Sequence, residues 1–330
     1  MNLLKFKPIY EERIWGGRSF KTLFERIIPK GVRIGESLEI CDSPKRSSII
    51  SGGEFDGCTL RQIIEKYPSD VIGPGWNPER FFPIIVKLLD ARQRLSLQVH
   101  PNEASEKKYG LPRKNEAWYL LDCGVRSRFI AGLKPGATSE NIKEAISAKN
   151  VEKLLEFRDS HVGDFMFVRE GTVHSLGADN IALEIQENSD STYRLYDWDR
   201  TDSDGKSRAL HIAEAIDSVN FDNPTVEPLS ENDTPVRILC DYKNFKIVRL
   251  RLKAGEITTL PAREEPKIIS LVSGKIDCGG ICMEAVESAL APYGAEINIR
   301  AEADSAMLIT ENFAKKNNPQ RTESLKSAYL

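Results

Sequence analysis

Apolar positions recur along the chain with two periods. Runs at residues 82–89, 94–100, 117–122, 164–168, 181–186 and 192–196 are short, partly alternating and bounded by Gly, Pro, Asn or Asp, which predicts β-strands. A helical period occupies 59–67, where Thr59 and Gln62 have capping-box spacing, Leu60, Ile63, Ile64 and Tyr67 share a face, and Pro68 stops the run. A helical insert is predicted at about 139–157: Ile142, Ala145 and Ile146 share a face, and Asn150 can cap a second segment holding Val151, Leu154 and Leu155. After residue 230 only β-like runs follow, at 245–252, 267–272 and 307–310, with turn signals at Ala254-Gly255 and Ser273-Gly274. The pattern predicts a mostly-β protein of sandwich or barrel type. It divides into a larger domain over 1–230 with the helical insert and a smaller β domain over 231–330, whose polar tail starts at Glu311.

Composition narrows the function classes. The 330 residues carry 46 Lys+Arg against 49 Asp+Glu, a net charge of −3, so the chain offers no broad attraction to nucleic acid or to an anionic membrane. No run reaches the roughly 18 to 20 apolar residues of a spanning helix, and the opening Met1-Asn2-Leu3-Leu4-Lys5 has no signal-peptide core, so a soluble cytoplasmic protein is expected. Six scattered cysteines then read as reduced thiols. Cys278 and Cys282 form the only close pair; a zinc site there needs two more ligands, no histidine follows His211, and ordinary loop cysteines are the better reading.

The chain has four histidines, His100, His161, His174 and His211. In Leu95-Ser96-Leu97-Gln98-Val99-His100, strand alternation puts Leu95, Leu97 and Val99 on one face and Ser96, Gln98 and His100 on the other, either a solvated stripe or a functional one. In Lys114-Asn115-Glu116-Ala117-Trp118, an extended backbone presents Lys114 and Glu116 together, which by itself equally describes an exposed strand-end ion pair. Gly163 and Gly171 precede His174 at a turn-to-strand junction. Together the segments supply two imidazoles, one carboxylate and one amide oxygen, a donor set suited to zinc or another first-row ion. His161 and His211 read as structural, and Trp15, Trp76, Trp118 and Trp198 as packing.

The spacing Gly-x7-Gly-x2-His after a strand pair bearing His100 and Glu116 resembles the two motifs of the cupin fold. The wider set is more specific. Trp15-Gly-Gly, Ile34-Gly-Glu-Ser, Phe82-Pro-Ile-Ile-Val-Lys, Leu95-Ser-Leu-Gln-Val-His-Pro-Asn, Lys114-Asn-Glu-Ala-Trp-Tyr, Gly171-Thr-Val-His and Glu184-Ile-Gln with Ser191-Thr-Tyr-Arg resemble, in order, the type I zinc-dependent mannose-6-phosphate isomerases in their shorter bacterial form. The resemblance implies two cupin-type β-sandwich or jelly-roll domains and an aldose–ketose isomerase acting on a hexose 6-phosphate with one zinc ion. It implies Gln98, His100, Glu116 and His174 as metal ligands, Arg194 and Lys114 as active-site cations, and Lys87 and Ser96 at the substrate phosphate.

Moving a carbonyl between C1 and C2 requires a proton to leave one carbon, transient enediolate charge, and return of the proton to the neighbouring carbon. Arg194 or Lys114 can stabilise that charge. Glu184, Asp190 and Lys114 are open as the general base, with Glu184 on the face opposite Ile181, Leu183 and Ile185 and within reach of substrate. Two other readings use the same residues: a cupin oxygenase with iron at His100, Glu116 and His174, and a non-catalytic sugar-phosphate-binding protein.

Overall fold

The computed structural model describes residues 1–314 apart from 203, 223 and 224. The chain forms two compact units, one made of residues 1–9, 38–87 and the chain from 232 onward, the other of 10–37 and 88–231. Among the described residues no helix is long and apolar enough to cross a membrane.

The unit built on 88–231 is a β-sandwich with helices on one side. Its five-stranded sheet runs Leu155–Asp159, Arg128–Leu133, His174–Leu176, Leu97–Val99, Tyr193–Tyr196, with antiparallel neighbours throughout. Facing it, Phe165–Val168, Glu116–Cys123 and Asn180–Glu187 lie side by side in a six-stranded sheet. Phe129, Ala131 and Leu176 from the first sheet meet Trp118, Leu120, Met166, Val168 and Ala182 from the second in one buried cluster. The outer face of the five-stranded sheet is apolar too. Leu97, Val99 and Ile130 pack there against Ile142, Ala145 and Ile146 of helix Ser139–Ser147 and against Ala215 and Ile216 of helix Ile212–Ser218. Alternation in Leu97–Val99 therefore works with apolar side chains outward under the helices and Gln98 turned inward. Leu95 departs from it and joins the inner cluster with Trp118, because regular pairing begins only at Leu97.

The helical insert is shorter than expected. Thr138 caps helix Ser139–Ser147 with a capping box, but Asn150 makes no side-chain cap, and Val151–Leu154 is a single 3-10 turn. Leu155 then opens strand Leu155–Asp159, in register with Arg128–Leu133 through Ile130↔Phe157 and Leu133↔Leu155. Pairing with a sheet edge satisfies the backbone groups of 155–159 more fully than a frayed helix end would. One further helix, Glu103–Tyr109, is capped by Asn102 and Ser105 and closed by Gly110 at φ 77°; its polar face gave no apolar period to read.

In the other unit, a seven-stranded and a four-stranded sheet enclose Leu250, Leu252, Ile269, Leu271, Met307 and Ile309 from the first and Leu260, Ile276, Met283, Ile297 and Ile299 from the second. The first strand, Leu4–Lys7, belongs here: Leu4 pairs with Leu290 and Phe6 with Ile50. Residues 1–9 and 38–87 thus join the C-terminal strands instead of a domain over 1–230, because strand pairing between distant segments leaves no local period in the sequence. The predicted helix forms as Leu60–Lys66 with both capping-box hydrogen bonds, and Pro68 opens a further turn, Pro68–Val71, at a position where it lacks nothing a helix needs. Glu311 closes strand Ser305–Glu311 and is buried beside Lys246 at 3.0 Å, so it begins no tail. The expected tail from Lys315 onward lies outside the described residues.

Candidate metal centre

Three strands bring the polar row together. His174 is directly opposite Gln98, and Gln98 is directly opposite Arg194. Residues opposite one another in a ladder share a face, so His174, Gln98 and Arg194 line one side of the five-stranded sheet. On the other sheet Glu116 lies opposite Gln186, and Trp118 opposite Glu184. The turn before His174 depends on glycine. Gly171 has φ 81°, its N–H donates to the His100 carbonyl at 3.0 Å, and a Cβ there would stand 2.9 Å from the Ser218 carbonyl oxygen.

His100, Glu116 and His174 are fully buried, and one ligand atom from each lies within 4.8 Å of the others. His100 Nε2 is 3.0 Å from Glu116 Oε2, and His174 Nε2 is 3.3 Å from Glu116 Oε1. Each ring's second nitrogen faces a backbone carbonyl, His100 Nδ1 that of Ser191 at 2.9 Å and His174 Nδ1 that of Thr172 at 2.8 Å. A carbonyl only accepts, so each ring can donate its proton from Nδ1, and in that tautomer Nε2 presents a lone pair. Lone pairs then face carboxylate oxygens, a repulsive arrangement unless a cation stands among them. Two ligands about 2.1 Å from a tetrahedral zinc are about 3.4 Å apart, close to the separations found here. Among the described residues His100 Nε2 and both Glu116 oxygens also lack a well-angled hydrogen bond, although Lys114 Nζ makes an ion pair with Oε2 at 2.6 Å. The donors and their unsatisfied atoms fit a divalent first-row metal.

The electrostatics agree. Burial pushes the pKa of His100 down to about 4, and the Lys114 ammonium adds to that, so the ring is neutral. Burial pushes Glu116 up, yet the Lys114 ammonium beside it holds its carboxyl well below the usual carboxylate range.

Gln98 Nε2 is 3.1 Å from His174 Nε2, and its Oε1 accepts from Ser96 Oγ at 3.4 Å. Ser96 is buried. Glu184 is buried, with Oε2 accepting from Trp118 Nε1 at 2.9 Å. Arg194 is half-buried and donates to the Ala209 carbonyl at 2.8 Å; burial lowers the pKa of its guanidinium, which stays charged. Lys87 is half-buried within strand Ile84–Ala91 and is the last residue of its segment 38–87. Asp190 is exposed. His161 is exposed and bonded to Asp164 at 3.2 Å.

Two residues read as packing do more. Trp118 packs edge-on against His174 with centroids 5.4 Å apart while holding Glu184, a role its place two residues after Glu116 could have signalled. His211 brackets Arg194: its N–H donates to the Arg194 carbonyl at 2.8 Å, and its Nδ1 accepts from the Arg194 N–H at 3.2 Å. The carbonyls of Thr172 and Ser191 carry no sequence signal, since any residue supplies one.

Residues 3–122 match the family description "Phosphomannose isomerase type I, catalytic domain". The chain is 35% identical over 280 residues to mannose-6-phosphate isomerase ManA of Bacillus subtilis, covering 82% of this chain and 86% of that one. It is 33% identical over 214 residues to mannose-6-phosphate isomerase of Streptococcus mutans, covering 64% and 66%. Its fold matches the crystal structure of the Bacillus subtilis mannose 6-phosphate isomerase with a TM-score of 0.82 at 25% identity, over 94% of this chain and 100% of that one. It also shares the fold of a mannose 6-phosphate isomerase bound with zinc and yttrium, at a TM-score of 0.71 and 16% identity over 94% and 100%. These likenesses favour neither the oxygenase nor the non-catalytic reading. A buried His–Glu–His cluster on facing sheets and relatedness over four fifths of its length lead to one assignment: the chain belongs to the mannose-6-phosphate isomerase family.

Proposed function

We propose that the protein interconverts D-mannose 6-phosphate and D-fructose 6-phosphate, with one zinc ion held by His100, Glu116 and His174. The observation that carries the reading is the buried convergence of these three ligand atoms within 4.8 Å, with Nδ1 of both rings facing backbone carbonyls. Gln98 supplies a fourth donor by turning its amide so that Oε1 replaces Nε2 beside His174. When bound, zinc supplies Lewis-acid polarisation of the sugar's carbonyl and hydroxyl oxygens.

The remaining work falls to the chain's own groups. Glu184, its Oε2 fixed by Trp118, takes the proton from C2 of the aldose, the C–H pair becoming the C1–C2 double bond as the C1=O pair moves onto O1; the O2–H proton then passes to O1, and Glu184 returns its proton to C1 as the C2–O bond becomes the carbonyl. Arg194, on the same face as Gln98, stabilises the enediolate oxygens without exchanging its proton. Lys114 holds Glu116 ionised as a metal donor. Lys87 and Ser96 take the phosphate, whose binding energy positions C1 and C2. Fructose 6-phosphate formed from mannose 6-phosphate by the zinc-loaded protein, with no oxygen uptake on adding ferrous iron, is the expected result; oxygen uptake without isomer formation would overturn the reading.

A further inference from the structure

Gln186 is fully buried and lies opposite Glu116 in the ladder, yet neither the donor set nor the proton transfer uses it. Its Nε2 donates to two backbone carbonyls, Glu187 at 3.0 Å and Ser189 at 2.9 Å. Two acceptors on that side fix the amide orientation, because a flip would set Oε1 against both carbonyls. Among the described residues Oε1 itself is buried with no hydrogen-bond partner, so the side chain stays in this pose for its nitrogen alone.

The segment it holds leads to the metal centre. Ser189 Oγ accepts from the Ser191 N–H at 3.2 Å and bonds Ser191 Oγ at 2.9 Å, and the Ser191 carbonyl faces His100 Nδ1 at 2.9 Å. His174 is held differently, its Nδ1 facing the carbonyl of Thr172 in its own turn. The start of the 187–191 turn has separate support, since Asn115 donates twice to Glu187 Oε2, at 2.8 and 2.7 Å. Removing Gln186 Nε2 therefore loosens the far end of the turn while its entry stays pinned.

We infer that Gln186 is the positioning residue of His100: by holding the 187–191 turn it fixes the Ser191 carbonyl that keeps the His100 proton on Nδ1 and leaves Nε2 free for the metal. The last clause rests on the metal reading above; the tautomer clause does not. Partners that orient a metal-bound histidine typically change metal affinity by about 10 to 100-fold when lost.

Imidazole nitrogen NMR of the metal-free protein tests this directly, with only four histidines to assign. The Nδ1-protonated fractions of His100 and His174 in the wild type are the reference. In Gln186→Met, which keeps length and apolar bulk, the Nδ1-protonated fraction falls for His100 and not for His174, and the zinc dissociation constant from chelator competition rises about 10 to 100-fold. Gln186→Glu, which sets an acceptor against both carbonyls, moves His100 the same way, and Ser189→Ala does so by less. An unchanged His100 tautomer with unchanged zinc affinity overturns the inference, as does an equal shift of His174, which marks general loosening. Wild-type protein that takes up no zinc removes the metal reading alone, and the His100 tautomer still decides the role of Gln186.

Discussion

Lys114 Nζ stands 2.6 Å from Glu116 Oε2, with both side chains nearly or fully buried. The pair places a cation and a carboxylate where neither is solvated, and the carboxylate still has two imidazole nitrogens in front of it. Breaking one partner of a buried pair costs about 3–5 kcal/mol, because the survivor stays buried and unpaired. Glu116→Gln in metal-free protein is expected to lose stability on that scale by urea unfolding, and Lys114→Met added to it recovers part of the loss. Equal stability of Glu116→Gln and wild type would contradict the pair's role.

His100 makes metal-free stability depend on pH. Its folded pKa is lowered to about 4 by burial, against an ordinary value of 6.5. Between those values the unfolded chain binds a proton that the folded chain does not, so stability rises as pH rises through this window, by on the order of 3 kcal/mol in all. Denaturant midpoints of metal-free protein at pH 4.5, 5.5 and 7 should climb, and those of His100→Gln should climb less. Parallel profiles for the two proteins would contradict it.

Trp118 holds the carboxylate proposed to move the proton. Hydrogen bonds to charged groups contribute about 1.5–3 kcal/mol, so Trp118→Phe should lower kcat by about tenfold or more with a small change in KM. An unchanged kcat would remove Glu184 from the proton transfer.

The unit containing the C-terminal strands needs its N-terminal strand. Leu3 lies in its core and Leu4 pairs with Leu290. A fragment starting at residue 232 exposes the edge of Ser288–Ala291 and should show no cooperative thermal transition. A sharp transition with protected amides would contradict this account of the unit.

Much of this was legible before the fold. Strand alternation separated Gln98 from Leu97 and Val99, and capping-box spacing marked the helix Leu60–Lys66. What stayed hidden shares one cause, interaction between segments far apart in sequence. Leu4 with Leu290 sets the division of the chain, Leu155–Asp159 becomes a strand only beside Arg128–Leu133, and the carbonyls of Thr172 and Ser191 orient two histidines without any residue preference. Trp118 was hidden differently: a buried indole usually means packing, and its N–H matters only because Glu184 lies opposite.

The most direct test compares isomerase activity on mannose 6-phosphate for metal-stripped protein, the same protein restored with zinc, and folded His174→Ala given zinc. Activity that vanishes on stripping, returns with zinc and stays more than about a thousandfold down in His174→Ala, roughly 4 kcal/mol of lost transition-state stabilisation, is the predicted result. Full activity in the stripped protein or in His174→Ala would contradict the assignment of the centre.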